Sequence, residues 1–296
     1  MRGRPVRLTD PGLVPAVATA FRADGSLVTV GTNGTAYVWD VAVRTETSEM
    51  AGPGGHRFGR AAFSPDGLTM AAQANGGTTD IFKAGTSPSY TLPAGERLYP
   101  GSIATAGLTI ATEDTARTGA DVWVGFAARP RETLIDGSGL TSVALSVDAS
   151  TVAASDDRGR TYLWNANTGT RTHILRAPDS SKVNCSVFSF FGKLLVTGNR
   201  DGRAYVWNYA TGALLRSVRD PNGVVDTVEI GGGGHMLATA GSGDAVYLWD
   251  AATGASLGTI RDPGGHGVTA LSVNMSGSQL AVADKNGTTY VWTLGG

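Results

Sequence analysis

The 296 residues carry 24 Lys and Arg side chains against 25 Asp and Glu, so the formal net charge is -1. Because binding to nucleic acids or to anionic membranes depends on an excess of basic side chains, we expect neither as a partner. The single cysteine excludes an intramolecular disulfide, and the N-terminus lacks the apolar segment of a signal peptide, so a cytoplasmic protein is expected. No apolar run is long enough to span a bilayer.

Short runs of Val, Ala, Leu and Thr alternate with clusters of Gly, Asp, Asn and Ser along the whole chain, which contains 42 glycines. This alternation is typical of strands joined by tight turns. Apolar residues do not recur at helical spacing over any long segment, so we expect helices to be nearly absent. The sequence therefore predicts an all-β fold.

A large aromatic residue recurs at intervals of 41 to 43 residues. The seven positions are Trp39, Phe82, Trp123, Trp164, Trp207, Trp249 and Trp292. A turn residue, which is glycine in six repeats and Ala149 in the fourth, recurs at intervals of 40 to 43 residues. Two markers in the same phase indicate seven repeats of about 42 residues.

Each repeat has the pattern of four short antiparallel strands. Examples are a first apolar strand at residues 61–64, a second strand at residues 194–197, and a third strand at residues 204–207 that ends on the repeated aromatic. A sheet that is apolar on both faces cannot bury itself alone, whereas a ring of sheets buries each face against a neighbour. We therefore predict a seven-bladed β-propeller with four antiparallel strands per blade, as one domain spanning residues 1–296.

The repeats resemble those of the WD-repeat (WD40-type) β-propeller family. Trp39-Asp40 and Trp249-Asp250 are WD dipeptides, and Gly55-His56 and Gly265-His266 match the Gly-His element of the family. Each of these two histidines precedes the aromatic of its repeat by 26 residues. The resemblance covers the whole chain and implies the propeller fold.

The resemblance also implies a hydrogen-bond network that joins a His, a Ser or Thr, an Asp and the Trp within a blade. No repeat plainly keeps all four residues: blade seven has His266 and Trp292 but Asn286 in the turn, and blade five has Asp201 and Trp207 without a histidine. We therefore expect stability to rest more on packing between blades than on this network. Blades two and three are expected to be the least regular.

The ring needs a strand for its last blade, because the chain ends four residues after Trp292. The N-terminal residues 6–12 match the fourth-strand residues 259–264, and both segments lie at the same distance from the next turn glycine. We expect the N-terminal strand to complete blade seven and to close the ring, which removes an exposed strand edge.

The sequence contains no evident catalytic or metal-binding arrangement. Cys185 begins an inner strand and has no histidine at the equivalent position of either neighbouring repeat, so we expect an inert thiol. The histidines lie in unrelated segments, and the glycines at 231–234 precede a strand rather than a helix, which favours a hairpin turn over a phosphate site. We predict neither enzymatic activity nor a cofactor.

Phe190 and Phe191 occupy a hairpin turn, where local packing is favoured over a contact surface.

Arginines are concentrated in loops that the family places on one face around the central channel. Arginine is favoured at interfaces because its planar guanidinium binds carboxylates with two hydrogen bonds and stacks on aromatic rings. The predicted partner-binding residues are Arg57, Arg60, Arg158, Arg160, Arg200 and Arg203. For each of them a solvated surface position, balanced by Asp156, Asp157 or Asp201, is the alternative.

The resemblance implies a non-enzymatic scaffold that presents this loop face to a protein or peptide, and we expect it to be a monomer. The alternative is a small-molecule-binding or hydrolytic propeller with its site at the channel mouth. Converging His or carboxylate side chains at the starts of the inner strands would favour that alternative. The corresponding residues are Ala18, Arg60, Pro100, Ser142, Cys185, Thr227 and Ala270. They are mostly small and neutral, so catalysis is not predicted. Binding of an anion near Arg60 stays an alternative.

Overall fold

The computed structural model describes residues 4–51, 57–64, 66–75, 77–83, 90–92, 98, 103–104, 109–114, 118–124, 130–135 and 139–294. These residues form seven antiparallel sheets of four strands each. Helical structure in the described ranges is limited to one short 3-10 turn at Gly232–Gly234. The predicted all-β fold, with seven blades of four strands, is confirmed.

The strands are numbered β1 to β28 in chain order. Blade one contains β2 (Ala16–Phe21), β3 (Leu27–Gly31), β4 (Thr35–Asp40) and β5 (Thr45–Ala51). Blade two contains β6 (Phe58–Phe63), β7 (Thr69–Ala74), β8 (Thr79–Lys83) and β9 (Tyr90–Leu92), and blade three contains β10 (Ile103–Ala104), β11 (Thr109–Glu113), β12 (Gly119–Val124) and β13 (Glu132–Ile135). Blade four contains β14 (Leu140–Leu145), β15 (Thr151–Asp156), β16 (Arg160–Asn165) and β17 (Arg171–Arg176). Blade five contains β18 (Val183–Phe188), β19 (Leu194–Asn199), β20 (Arg203–Asn208) and β21 (Ala213–Arg219), and blade six contains β22 (Thr227–Gly231), β23 (Met236–Ala240), β24 (Ala245–Asp250) and β25 (Ser256–Arg261).

Blade seven combines the two ends of the described chain. It contains β26 (Val268–Val273), β27 (Gln279–Asp284), β28 (Thr288–Thr293) and β1 (Val6–Thr9). Strand β1 pairs antiparallel with β28, from Val6 opposite Val291 to Thr9 opposite Thr288. The predicted closure of the ring by the N-terminal strand is therefore confirmed.

The hydrophobic core is divided among the seven contacts between neighbouring blades. Each of seven clusters of buried residues draws on two adjacent blades, and in each one the repeated aromatic packs against the preceding blade. Trp39, for example, shares a cluster with Leu8 and Val291 of blade seven. Since the preceding blade supplies several residues of every cluster, no blade can bury its apolar face without its neighbour.

A reduced form of the family network joins blades through tryptophan. The Trp39 indole Nε1 donates to Thr29 Oγ1 at 3.0 Å, and this hydroxyl donates to Asp10 Oδ1 at 2.9 Å. Blade six repeats the chain with Trp249 donating to Thr239 at 3.1 Å and Thr239 donating to Asp220 at 2.6 Å. In both cases the Asp follows the fourth strand of the preceding sheet and accepts a hydrogen bond from the threonine hydroxyl. We call this arrangement the Asp-Thr-Trp relay.

In the other blades the residue at the threonine position decides whether the indole has this hydroxyl as an acceptor. The indoles of Trp123 and Trp207 donate to Thr112 and Thr197 at 2.9 and 3.2 Å. Blade two has Ala72 at this position and an aromatic, Phe82, that has no N–H group to satisfy. Blade seven has Val282, and the Nε1 of Trp292 has no acceptor among the described residues. Stability thus depends on the blade packing in every repeat and on the relay in only some of them.

Replacing Thr29 by valine is expected to lower the free energy of unfolding by about 2 kcal/mol, because it leaves two buried polar groups, the Trp39 indole and the Asp10 carboxyl, without a partner. Thr197→Val is the matched control, since the Thr197 hydroxyl serves the Trp207 indole in a blade that has Ala177 at the aspartate position. Urea unfolding followed by circular dichroism measures both variants. A smaller loss for Thr29→Val than for Thr197→Val would contradict the relay.

Candidate functional site

The turns between second and third strands and the segments that enter the next blade lie on one face of the ring. Backbone hydrogen bonds join the two kinds of segment: Asn75 N donates to Arg57 O at 3.0 Å, and Arg200 N donates to Lys182 O at 2.9 Å. The six predicted arginines belong to these segments or to the strand ends next to them. We call this surface the arginine face, defined by Arg57, Arg60, Arg158, Arg160, Arg200 and Arg203.

Three of the six arginines are exposed, namely Arg57, Arg158 and Arg200. The other three are half-buried and contact their own surroundings. The Arg60 guanidinium donates to Leu98 O at 3.3 Å, and the Arg203 guanidinium donates to Ser217 Oγ at 3.2 Å. These contacts hold Arg60 and Arg203 partly against the ring.

Arg160 has the strongest contact of the set. Its Nε lies 2.6 Å from Oδ2 of Asp156, whose side chain is buried, and its guanidinium lies 5.4 Å from the centre of the Tyr162 ring. The other carboxylate oxygen, Oδ1, accepts the backbone N–H groups of Arg158 and Arg160 at 2.9 Å. Arg160 therefore neutralises a buried carboxylate, and the same carboxylate fixes the turn that carries Arg158.

The first strands of the blades surround a cavity of about 250 Å³ in the centre of the ring. Of the inner positions singled out in the sequence, Ala18, Cys185, Thr227 and Ala270 line this cavity. Ser142 instead forms a hydrogen bond of 2.8 Å with Ser186 on the neighbouring blade. Arg60 is not among the described lining residues, and Pro100 and the Gly55-His56 element lie outside the described ranges.

Burial raises the pKa of the Cys185 thiol to about 12. The thiol therefore stays protonated near neutral pH, which makes it a poor nucleophile. In the described part of the chain no group of three His, Cys, Asp or Glu side chains could hold a metal ion. The same ranges contain no helix of the length and hydropathy that a membrane span requires.

Glu229 is a cavity-lining residue that sequence reasoning missed. It is the middle residue of β22, two positions after Thr227, and burial alone raises the pKa of its carboxyl to about 8. The strand registers place small or apolar residues at the equivalent position of the other described inner strands. They are Ala20, Ala62, Ala144, Val187 and Ser272. A single glutamate in phase with these residues was the available signal.

Asp226 lies next to β22 at the arginine-face end of the cavity and is exposed. Its Oδ1 accepts a hydrogen bond from Asn184 Nδ2 at 3.2 Å. Partial desolvation raises the pKa of Asp226, and the positive charges of Lys182 and Lys285 oppose this change. This mouth of the channel therefore carries charges of both signs.

The opposite mouth is formed by the turns between first and second strands, and both polar and apolar residues line the cavity there. Phe190 and Met275 line the cavity here, and Met275 is 49% exposed. The ring of Phe190 also lies edge-on to that of Phe191, with 4.7 Å between the centroids, which is the local packing expected from the sequence. The predicted hairpin turn at residues 231–234 is confirmed, since Gly232–Gly234 joins β22 to β23.

The family model of the WD domain, G-beta repeat, matches residues 169–208 and 254–293. Each matched segment begins just before a fourth strand and ends just after the repeated aromatic of the next blade. The predicted resemblance to WD-repeat proteins is therefore confirmed. No curated protein is significantly similar to the chain in sequence.

Proposed function

From the premise that this chain is a seven-bladed propeller of WD repeats, we propose that it is a non-enzymatic scaffold which binds a protein or peptide through the arginine face. The observation that carries this proposal is the exposure of Arg57, Arg158 and Arg200 on loops of blades two, four and five. Propellers of this family commonly serve as protein-interaction scaffolds. Loops held by a rigid framework are the usual location of binding residues.

The turn that carries the exposed Arg158 is fixed by a hydrogen bond and by close packing. The buried Asp156 carboxylate holds the turn at Arg158, and Gly159 in the same turn has a φ of +74°. A Cβ atom at Gly159 would lie 2.7 Å from the backbone of Ser180, so the turn is packed against the segment that enters blade five. Because the backbone of this turn is already ordered, binding of a partner to Arg158 costs little backbone entropy.

The arginine side chains favour a partner that offers carboxylates or aromatic rings. A guanidinium can donate two parallel hydrogen bonds to one carboxylate and can also stack on an aromatic face. Three such groups spread over three blades suit an extended acidic peptide or the acidic surface of a folded protein. With a formal net charge of -1, the chain as a whole provides no general attraction for anions, so recognition depends on this local arrangement.

Charge reversal on the arginine face is expected to abolish partner binding. Purified protein and an Arg158→Glu, Arg200→Glu variant are used as bait in lysate of the source cell, and retained proteins are identified by mass spectrometry. Arg44→Glu, Arg171→Glu is the matched control, since both arginines are exposed and lie where third and fourth strands connect, away from the arginine face. Retention of the same proteins by all three forms would refute the proposal.

We also infer a monomer in the cytoplasm. The closed ring supports the monomer, because β1 covers the edge of β28 that another chain would otherwise pair with. The lone Cys185 supports a reducing compartment, where disulfides are not used. Sedimentation equilibrium and fractionation of the source cell test the two inferences, and a dimer or a secreted protein would overturn them.

A further inference from the structure

We propose that the central cavity is a binding site for a small organic ammonium ion, whose N–H groups donate to the carboxylate of Glu229. This site is separate from the arginine face and does not depend on the function proposed for that face. It lies inside the ring between the first strands of the blades, whereas the arginine face is built from their connecting loops.

The charges that line the cavity select a cation. Among the described lining residues the ionisable acids are Asp226 and Glu229, apart from the thiol of Cys185, and none is Lys, Arg or His. Asp226 and the ionised form of Glu229 would repel an anion, and a neutral ligand could not stabilise the ionised form of Glu229 by its charge. A cation gains from both groups.

The Glu229 carboxylate has no partner of its own in the described part of the chain. No described residue donates a hydrogen bond or a positive charge to it, and burial is the cause of its raised pKa. The strands packed against β22 are β18, β19, β23 and β26, and among them Cys185 of β18 is the titratable side chain. Glu229 is half-buried, and a carboxyl that is partly shielded from water is less favourable when ionised, so a ligand that supplies hydrogen-bond donors lowers this cost.

The rest of the lining favours an organic cation over a metal ion. Apart from Asp226, the other described lining residues are mostly small or apolar, such as Val187 and Ile230, and offer no further carboxylate ligand. Divalent metal ions require several oxygen or nitrogen ligands, and no described group of three acidic, His or Cys side chains provides them. An ammonium group can instead be satisfied by one carboxylate together with hydroxyl and backbone oxygens.

Two apolar side chains at the opposite mouth favour a ligand that carries a short hydrocarbon chain. Glu229 lies two residues from Gly231, a distance of about 7 Å along the strand, and the turns beyond it carry Phe190 and Met275. An ammonium group at Glu229 thus places an attached chain of a few carbon atoms against these two side chains. The cavity of about 250 Å³ suits a molecule of this size rather than a nucleotide or a large cofactor.

Binding is coupled to release of a proton. The Glu229 carboxyl, with its pKa of about 8, is mostly protonated near neutral pH, and a bound cation stabilises the ionised form. The O–H bond of the carboxyl breaks, the proton goes to the buffer, and the carboxylate keeps the electron pair and accepts the N–H groups of the ligand. Close to one proton is therefore released per ligand at about pH 7, and the number falls as the pH rises above the pKa.

The test uses n-butylammonium as the probe, with isothermal titration calorimetry of the full chain in buffers of different ionisation enthalpy. We expect the wild-type protein to bind n-butylammonium with proton release, to bind neutral n-butanol more weakly, and to show no binding of butyrate. Glu229→Gln, which keeps the shape of the side chain, is expected to weaken binding by about ten-fold or more and to abolish proton release.

Asp226→Asn is the matched control, because it removes a carboxylate from the arginine-face mouth and leaves Glu229 in place. We expect it to weaken binding by less than about three-fold. Equal binding by Glu229→Gln and wild type would overturn the proposal, as would n-butanol binding as tightly as n-butylammonium or no binding of the amine at millimolar concentration. Proton release is measured on the wild-type protein, so its absence overturns the proposal even if Glu229→Gln fails to fold.

Discussion

Replacement of Trp39 by alanine is expected to lower the free energy of unfolding by about 3–5 kcal/mol. The indole is 4% exposed and packs against Leu8 and Val291 of blade seven, so its loss leaves a void at the contact that closes the ring. The same change removes the donor of the relay to Thr29 and Asp10. Urea unfolding followed by circular dichroism measures the loss.

Phe191→Ala is the control for the Trp39 variant. Phe191 is also a large aromatic, but it is 55% exposed on a hairpin turn, and its removal is expected to change the free energy of unfolding by no more than about 0.5 kcal/mol. Equal effects of the two substitutions would show that burial between blades is not what makes the repeated aromatic important. A loss below about 1 kcal/mol for Trp39→Ala would show that the neighbouring blades repack around the gap.

Glu229→Gln is expected to stabilise the protein in alkaline solution and to have little effect in acid. Glutamate ionises near 4.5 in the unfolded chain, whereas burial raises its pKa to about 8 in the folded protein. Between these two values the folded state binds the extra proton, so the wild-type free energy of unfolding falls as the pH rises through this window and levels off above it. The glutamine variant has no such dependence at this position.

The expected difference between the two proteins at about pH 9 is about 3 kcal/mol, since one unit of pKa shift corresponds to about 1.4 kcal/mol and water in the channel screens part of the effect. Unfolding in urea at several pH values measures it. Glu49→Gln is the control, because Glu49 is exposed on β5, and this variant should follow the wild-type pH dependence. Parallel curves for Glu229→Gln and wild type would contradict the buried position of the Glu229 carboxyl.

The hydrogen-bond network within the blades could be predicted from the sequence only in part, because other residues replace those of the family pattern. No repeat plainly has the complete network with histidine, yet Asp10 and Asp220, which follow the fourth strand of the preceding blade, accept a hydrogen bond from the threonine hydroxyl. Blade two has Ala72 at the threonine position, which suits Phe82 because an aromatic without an N–H group needs no hydroxyl acceptor. The sequence contains both residues of each pair, but their relation depends on strand register, which the period of the repeat alone does not give.

For the arginines, the sequence predicted the loops that carry them but not the exposure of each side chain. Their concentration in channel-side loops was predictable, because loop positions follow from the repeat. The sequence did not distinguish Arg158, which is exposed, from Arg160, which binds the buried carboxylate of Asp156. The two arginines differ because Arg158 lies in the turn, whereas Arg160 begins β16, where its guanidinium reaches Asp156.

The sequence by itself determined the number of blades, the four strands in each blade and the closure by the N-terminal strand. These features are predictable because each blade contacts only its neighbours, so a regular spacing of turns and aromatics is enough to specify the ring. Only the tertiary structure decided that Glu229 lines the cavity and that its carboxyl has no described partner. The solvation of one side chain inside the ring depends on the first strands of several blades at once, and these strands are brought together only when the ring closes.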